Sequence, residues 1–75
     1  MHNAEVISYD SRKCHCLYGW TIVMGNDTIL STSPVIGKVL GYDTTLPVKV
    51  LIEAEYKEPC CRYDYYTIKK IQWIH

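Results

Sequence analysis

The chain has no phenylalanine, no net charge and no apolar run long enough to cross a membrane. Eight basic residues balance eight acidic ones, whereas a dedicated DNA or RNA binder usually carries a basic excess that neutralises phosphates. The start of the chain, MHNAEVIS, lacks the basic segment and apolar run of a secretory signal. These absences favour a cytoplasmic protein without membrane contact and count against dedicated nucleic-acid binding.

Catalytic motifs are absent as well. The sequence contains no glycine-rich phosphate loop, no H-E-x-x-H motif and no nucleophile elbow. Its carboxylates are scattered singly, apart from Glu53 and Glu55, which fall on one face of a predicted strand and are typical of a solvated strand end. We therefore expect a protein that is not an enzyme and carries no catalytic residue.

The residues that are present favour strands. The chain has 75 residues, seven Tyr and two Trp, a length that allows a single domain over residues 1–75. Turn-forming residues recur at short intervals, at Gly25-Asn26, Ser33-Pro34, Gly41, Pro47 and Pro59. This spacing predicts an all-β fold with strands in AEVISY, LYGWTIVM, DTILSTS, VIGKVLGYD and VKVLIEAEY.

The C-terminal segment YYTIKKIQWIH breaks the strand pattern. Apolar residues alternate from Ile71 to Trp73, but strict alternation fails between Thr67 and Ile71. A 3₁₀ turn at this point, followed by a short last strand, would place Ile68 and Ile71 on one side. The dipeptide Gly25-Asn26 predicts a two-residue hairpin turn.

Five or six short strands, a hairpin, a glycine-kinked fourth strand and a 3₁₀ turn before the last strand resemble an SH3-like small β-barrel. The segments GKVLGYDTTLPVKVLIE and YYTIKKIQWI carry the resemblance, which covers about half of the chain. It implies a five- to six-stranded closed barrel. Because such folds host many functions, it implies no activity.

All four cysteines lie in two tight clusters, Cys14 with Cys16 and Cys60 with Cys61. Four thiolates suit tetrahedral zinc, but structural zinc sites usually space cysteines as C-x₂-C, and the gaps here are one residue and none. A disulfide between the clusters is a second alternative. In a cytosolic protein, reduced cysteines packed as small hydrophobes are the favoured interpretation, with no cofactor bound.

The aromatic residues point to a binding surface, because exposed Tyr, Trp and Arg are the usual anchors of protein interfaces. The predicted partner-binding residues are Arg62, Tyr63, Tyr65, Lys69, Lys70 and Trp73. The leading hypothesis is a small interaction module that binds and modulates a protein partner, and the chain's size suggests a phage-encoded or bacterial accessory factor. Alternatives are a single-stranded nucleic-acid or nucleotide binder on the same aromatic-basic tail, and a zinc-stabilised module. A homo-oligomer is a related hypothesis.

Overall fold

The computed structural model describes residues 1–10, 19–42, 44–59 and 63–74, which form five strands and one short helix. The elements are β1 (His2–Asp10), β2 (Gly19–Met24), β3 (Asp27–Ser31), α1 (Pro34–Leu40), β4 (Val48–Glu58) and β5 (Asp64–Trp73). The prediction of an all-β protein is confirmed. The part of the chain that the structure describes contains five strands, and no sixth strand is found there.

The strands form a closed barrel in the order β1-β2-β3-β5-β4, and β4 closes the barrel by pairing with β1. Side chains alternate between the two faces of each strand, so every second residue points into the barrel. The inward residues that form the core include Val6, Trp20, Ile22, Ile29, Val50, Ile52, Ile68 and Ile71. The prediction of a small closed β-barrel is confirmed.

The strand order adds detail to the resemblance. The protein is like an SH3-like barrel in its small size, its five strands and the closure of its sheet into a barrel. All neighbouring strands are antiparallel except β3 and β5, which run parallel, and α1 lies between β3 and β4 in the chain. This order is the five-stranded Greek-key arrangement of the OB-fold. It describes the architecture and carries no function by itself.

Residues Pro34–Leu40 form a helix, so the predicted fourth strand VIGKVLGYD is wrong. Ser33 has an extended backbone at the N-cap and Pro34 is the first helical residue, a position that proline favours. Gly41 ends the helix with φ 79 and donates its N–H to the Gly37 carbonyl. The helix was missed because a seven-residue apolar segment rich in valine and isoleucine does not show a clear helical period.

The predicted 3₁₀ turn before the last strand is also wrong, because β5 continues unbroken through that segment. Glu53 pairs with Lys70 and Ala54 pairs with Ile68, so Lys69 is an extra residue in β5. Such a β-bulge inserts one residue and re-aims the side chains that follow it. The bulge lets Ile68 and Ile71 both enter the core, which explains the failed alternation in the sequence.

A serine pair joins α1 to the barrel. The completely buried Ser31 donates its hydroxyl to Ser33 Oγ at 3.0 Å and accepts the Ser33 N–H at 3.2 Å. Ser33 Oγ in turn accepts the backbone N–H of Ile68 at 2.9 Å. Further along β5, the Trp73 indole N–H donates to the Val39 carbonyl at 3.3 Å. The helix therefore lies against β5 beyond the point where β3 ends.

Candidate functional site

Three aromatic rings from separate elements meet at one end of the barrel. Tyr9 on β1 and Trp20 on β2 are cross-strand partners with ring centroids 4.4 Å apart. Tyr42, just after α1, lies 5.2 Å from the Tyr9 ring and 5.6 Å from the Trp20 ring. Trp20 is 3% exposed, whereas Tyr9 is 37% and Tyr42 63% exposed. We call these three residues the aromatic cluster: a buried indole that supports two exposed phenol rings.

Two glycines permit this arrangement. A Cβ atom on Gly37 would lie 2.5 Å from Tyr42 Cζ, so only glycine leaves room for the ring against the helix. A Cβ atom on Gly19 would lie 2.5 Å from the Ser31 carbonyl oxygen, and Gly19 also has φ +100, which side chains rarely adopt. The close approach of β2 to β3 beside Trp20 therefore depends on glycine.

The aromatic cluster borders a cavity of about 110 Å³. The cavity is lined by Tyr9, Gly19, Trp20, Thr32, Ser33, Pro34 and Tyr42. Pockets that enclose a whole small-molecule ligand usually measure about 300 to 1,000 Å³. The cavity is therefore suited to one side chain of a larger partner rather than to a complete metabolite.

Sequence reasoning did not identify the aromatic cluster as a site. Tyr9 and Trp20 are neighbours only through the register of β1 on β2, and Tyr42 approaches them only because α1 returns the chain to this end of the barrel. The available sequence signal was the Ser33-Pro34 helix start, which would have predicted α1 and hence the turn that precedes Tyr42.

The partner-binding residues predicted on the C-terminal tail do not all lie together. Tyr63 and Tyr65 are half-buried, while Lys69 and Lys70 are exposed farther along β5. Trp73 is 37% exposed and lies at the other end of the strand, with its indole bonded to α1. Arg62 lies outside the described residues. The structure thus places Tyr65, the two lysines and Trp73 along β5, with Tyr65 and Trp73 near opposite ends of the strand.

Carboxylates on β4 face the two lysines of β5. Lys69 Nζ lies 2.7 Å from Glu55 Oε2, and Lys70 is the cross-strand partner of Glu53. The hydrogen bond and the charge of Lys69 lower the pKa of Glu55, and the same contact with Glu55 raises the pKa of Lys69. The lysines predicted to attract a phosphate backbone therefore lie beside acidic groups.

The outward face of β2 and β3 offers no exposed ring among the described residues. Leu30 alternates with the inward Ile29, so its side chain points away from the interior, yet it is completely buried. Its outward-facing neighbour on β2, Thr21, is half-buried. The one aromatic residue in the described parts of these strands is Trp20, which belongs to the core. The described residues of this face therefore supply no exposed ring on which bases could stack.

The four cysteines proposed as zinc ligands, Cys14, Cys16, Cys60 and Cys61, lie outside the described residues, so the zinc and disulfide hypotheses stay predictions. Within residues 1–10, 19–42, 44–59 and 63–74, no three His, Cys, Asp or Glu side chains are placed to hold a metal ion. In the same segments, no helix has the length and apolar character needed to span a bilayer.

Comparison with known proteins assigns the chain to no family. No protein-family model, curated protein or solved structure matches it. Its function must therefore be inferred from the chemistry of its own surfaces, among which the aromatic cluster combines a rigid support, exposed rings and a cavity.

Proposed function

We propose that this chain is a non-enzymatic interaction module that binds a protein partner through the aromatic cluster. The observation that carries the proposal is that Tyr9 and Tyr42 are exposed at the rim of a side-chain-sized cavity while the buried Trp20 supports them. Tyrosine and tryptophan dominate interface hot spots because they offer large contact areas and lose little conformational entropy. A partner side chain would enter the cavity beside the two tyrosine rings, which line it.

Charge distinguishes a protein partner from single-stranded nucleic acid. A nucleic-acid site pairs stacking rings with a positively charged groove along the backbone. The two lysines of β5 are instead opposed by Glu53 and Glu55, and the outward face of β2 and β3 has no exposed ring among its described residues. An aromatic anchor with no basic groove among the described residues fits a protein interface better.

Selection of peptides from a random displayed library tests the proposal. Peptides that bind the full chain should change the fluorescence of Trp20, which lines the cavity. Tyr9→Ala and Tyr42→Ala should each weaken their binding by about tenfold or more, as expected for hot-spot residues. Tyr56→Ala is the matched control, because Tyr56 is 52% exposed but lies on β4, and it should leave binding unchanged.

A second variant disturbs the cluster without removing a ring. The methyl group of Gly37→Ala would displace the outer end of the exposed Tyr42 side chain, so peptide binding should weaken. Stability should change little, because the gain of about 1 kcal/mol from alanine over glycine in a helix offsets the ring contacts that a displaced Tyr42 loses. Full binding by both Tyr42→Ala and Gly37→Ala would refute the site. Salt-sensitive binding of an oligothymidylate, without peptide binding, would support the nucleic-acid alternative.

A further inference from the structure

A second cavity opens on the outer surface of the barrel, where β2, β1 and β4 lie side by side. Its volume is about 330 Å³, and it is lined by Asn3, Ala4, Glu5, Val23, Lys49 and Ile74. We call this cavity the outer groove. Unlike the cavity at the aromatic cluster, it falls within the range of about 300 to 1,000 Å³ that is usual for small-molecule sites.

Strand pairing fixes the positions of the two charged residues in the outer groove. Glu5 has a strand partner on both sides, Val23 on β2 and Lys49 on β4. The Lys49 carbonyl accepts the N–H of Ile74 at 3.4 Å, so the residue that follows β5 lies beside Lys49. Glu5 precedes the core residue Val6 in the strand and therefore points away from the interior. The charged pair thus lies within the sheet and not at a strand edge.

We propose that the outer groove binds a small zwitterion with an aliphatic tail, of the class of the free aliphatic amino acids. The ammonium group of the ligand would contact the Glu5 carboxylate, and its carboxylate would contact the Lys49 ammonium group. Its aliphatic tail would pack against Val23 and Ile74, which also line the groove. The site shares no residue with the aromatic cluster and does not depend on it.

The two charges of the outer groove are available to such a ligand. Glu5 and Lys49 are cross-strand partners, yet they form no ion pair with each other or with another described residue. Cross-strand partners have Cβ atoms about 4.5 to 5.5 Å apart, so a ligand that carries both charges on one carbon atom can reach both side chains. Glu5 is half-buried, and partial burial strengthens its attraction for a cation because less water screens the charges.

The balance of charge and shape selects this class of ligand over others. A simple anion would be attracted by Lys49 but repelled by Glu5, and a simple cation would meet the opposite conflict. A purely apolar molecule would desolvate both charges without pairing them. A second copy of the chain fits poorly, because two grooves that face each other leave the space between them unfilled. A zwitterion with an aliphatic tail pairs both charges and covers the apolar lining.

Titration of the isotope-labelled full chain with leucine, followed by NMR, tests the proposal. Amide signals of the groove residues should shift and reach saturation. Isopentylamine, which lacks the carboxylate of leucine, and isocaproate, which lacks its ammonium group, should each bind about tenfold more weakly, because each loses one charge-assisted contact. Glycine keeps both charges but has no tail, and it should also bind about tenfold more weakly.

Two variants assign the ends of the ligand. Glu5→Gln should weaken the binding of leucine and isopentylamine by about tenfold but should not weaken that of isocaproate, which has no ammonium group. Lys49→Met should weaken the binding of leucine and isocaproate but not that of isopentylamine. Glu53→Gln and Lys70→Met are the matched controls, because they alter another cross-strand pair of glutamate and lysine, and they should leave the binding of all three molecules unchanged.

The possible results separate this site from its alternatives. Absence of a saturable shift with leucine, shifts confined to residues outside the outer groove, or equal effects of a charge variant on all three molecules would overturn the proposal. Groove signals that move with protein concentration and not with leucine would show that a second copy occupies the groove, and would overturn it too. Tyr42→Ala should leave leucine binding unchanged, so failure of the aromatic cluster and failure of the outer groove are distinguishable.

Discussion

Substitution of Ser33 by alanine should destabilise the barrel through two lost hydrogen bonds. Ser33 Oγ accepts both the backbone N–H of Ile68 and the hydroxyl of the completely buried Ser31. Neither donor has another acceptor among the described hydrogen bonds. Ser33 is the N-cap residue of α1, but its side chain makes no capping hydrogen bond, so no capping energy is lost.

The expected magnitude follows from burial. A buried donor left without an acceptor costs about 1 to 3 kcal/mol. Because Ser33 itself is only half-buried, we expect the loss of each hydrogen bond to cost an amount near the lower end of this range. Two such losses amount to about 2 kcal/mol. For a domain of this length, that corresponds to a fall in Tm of about 8 to 16 °C.

Urea unfolding followed by circular dichroism measures the change. Thr32→Ala is the matched control, because Thr32 is the exposed neighbour of Ser33 and its substitution should change stability by less than about 0.5 kcal/mol. The double variant Ser31→Ala/Ser33→Ala should lose less than the sum of the single variants, since the two hydroxyls share one bond. A Ser33→Ala variant as stable as Thr32→Ala would refute the assigned role of the serine pair.

Two further predictions concern backbone conformation and charge. Gly19→Ala should lower the free energy of unfolding in urea more than Gly25→Ala does. Both glycines have positive φ, so Gly25→Ala should cost about 1 to 2 kcal/mol, but only a Cβ atom on Gly19 would meet a backbone atom, the Ser31 carbonyl oxygen. Equal losses would contradict the proposed crowding at Gly19. The Glu55 carboxyl should titrate below its ordinary pKa in NMR and return towards it in Lys69→Met. Because the pKa of Glu55 is lower in the folded protein, the small stabilisation by this exposed ion pair is present at pH values above the ordinary carboxyl pKa and is lost as the pH falls through the folded-state pKa. An unshifted titration of Glu55 would show that the pair does not form in solution.

The strands and the hairpin were predictable because their signals are local. Alternation in VKVLIEAEY predicted most of β4, and Gly25-Asn26 predicted the turn between β2 and β3. Where local signals conflicted, prediction failed. The segment from Pro34 to Leu40 is rich in strand-forming residues but forms a helix because Ser33-Pro34 and Gly41 bound it. At Lys69, a bulge produced the irregularity that was interpreted as a 3₁₀ turn.

The candidate sites were less predictable than the strands. The importance of tyrosine could be inferred from composition, but the expected surface on the C-terminal tail includes Trp73, which packs against α1. The contact of Trp73 with α1 and the aromatic cluster both arise between segments that are distant in the chain.

The sequence by itself determined a small all-β domain, since a period of two residues and turn chemistry act over a few neighbouring positions. Only the tertiary structure decided which residues meet. Barrel closure, the register of β1 on β2 and the return of the chain through α1 bring Tyr9, Trp20 and Tyr42 together. Such long-range pairing is set by the packing of the whole core, and no local pattern encodes it.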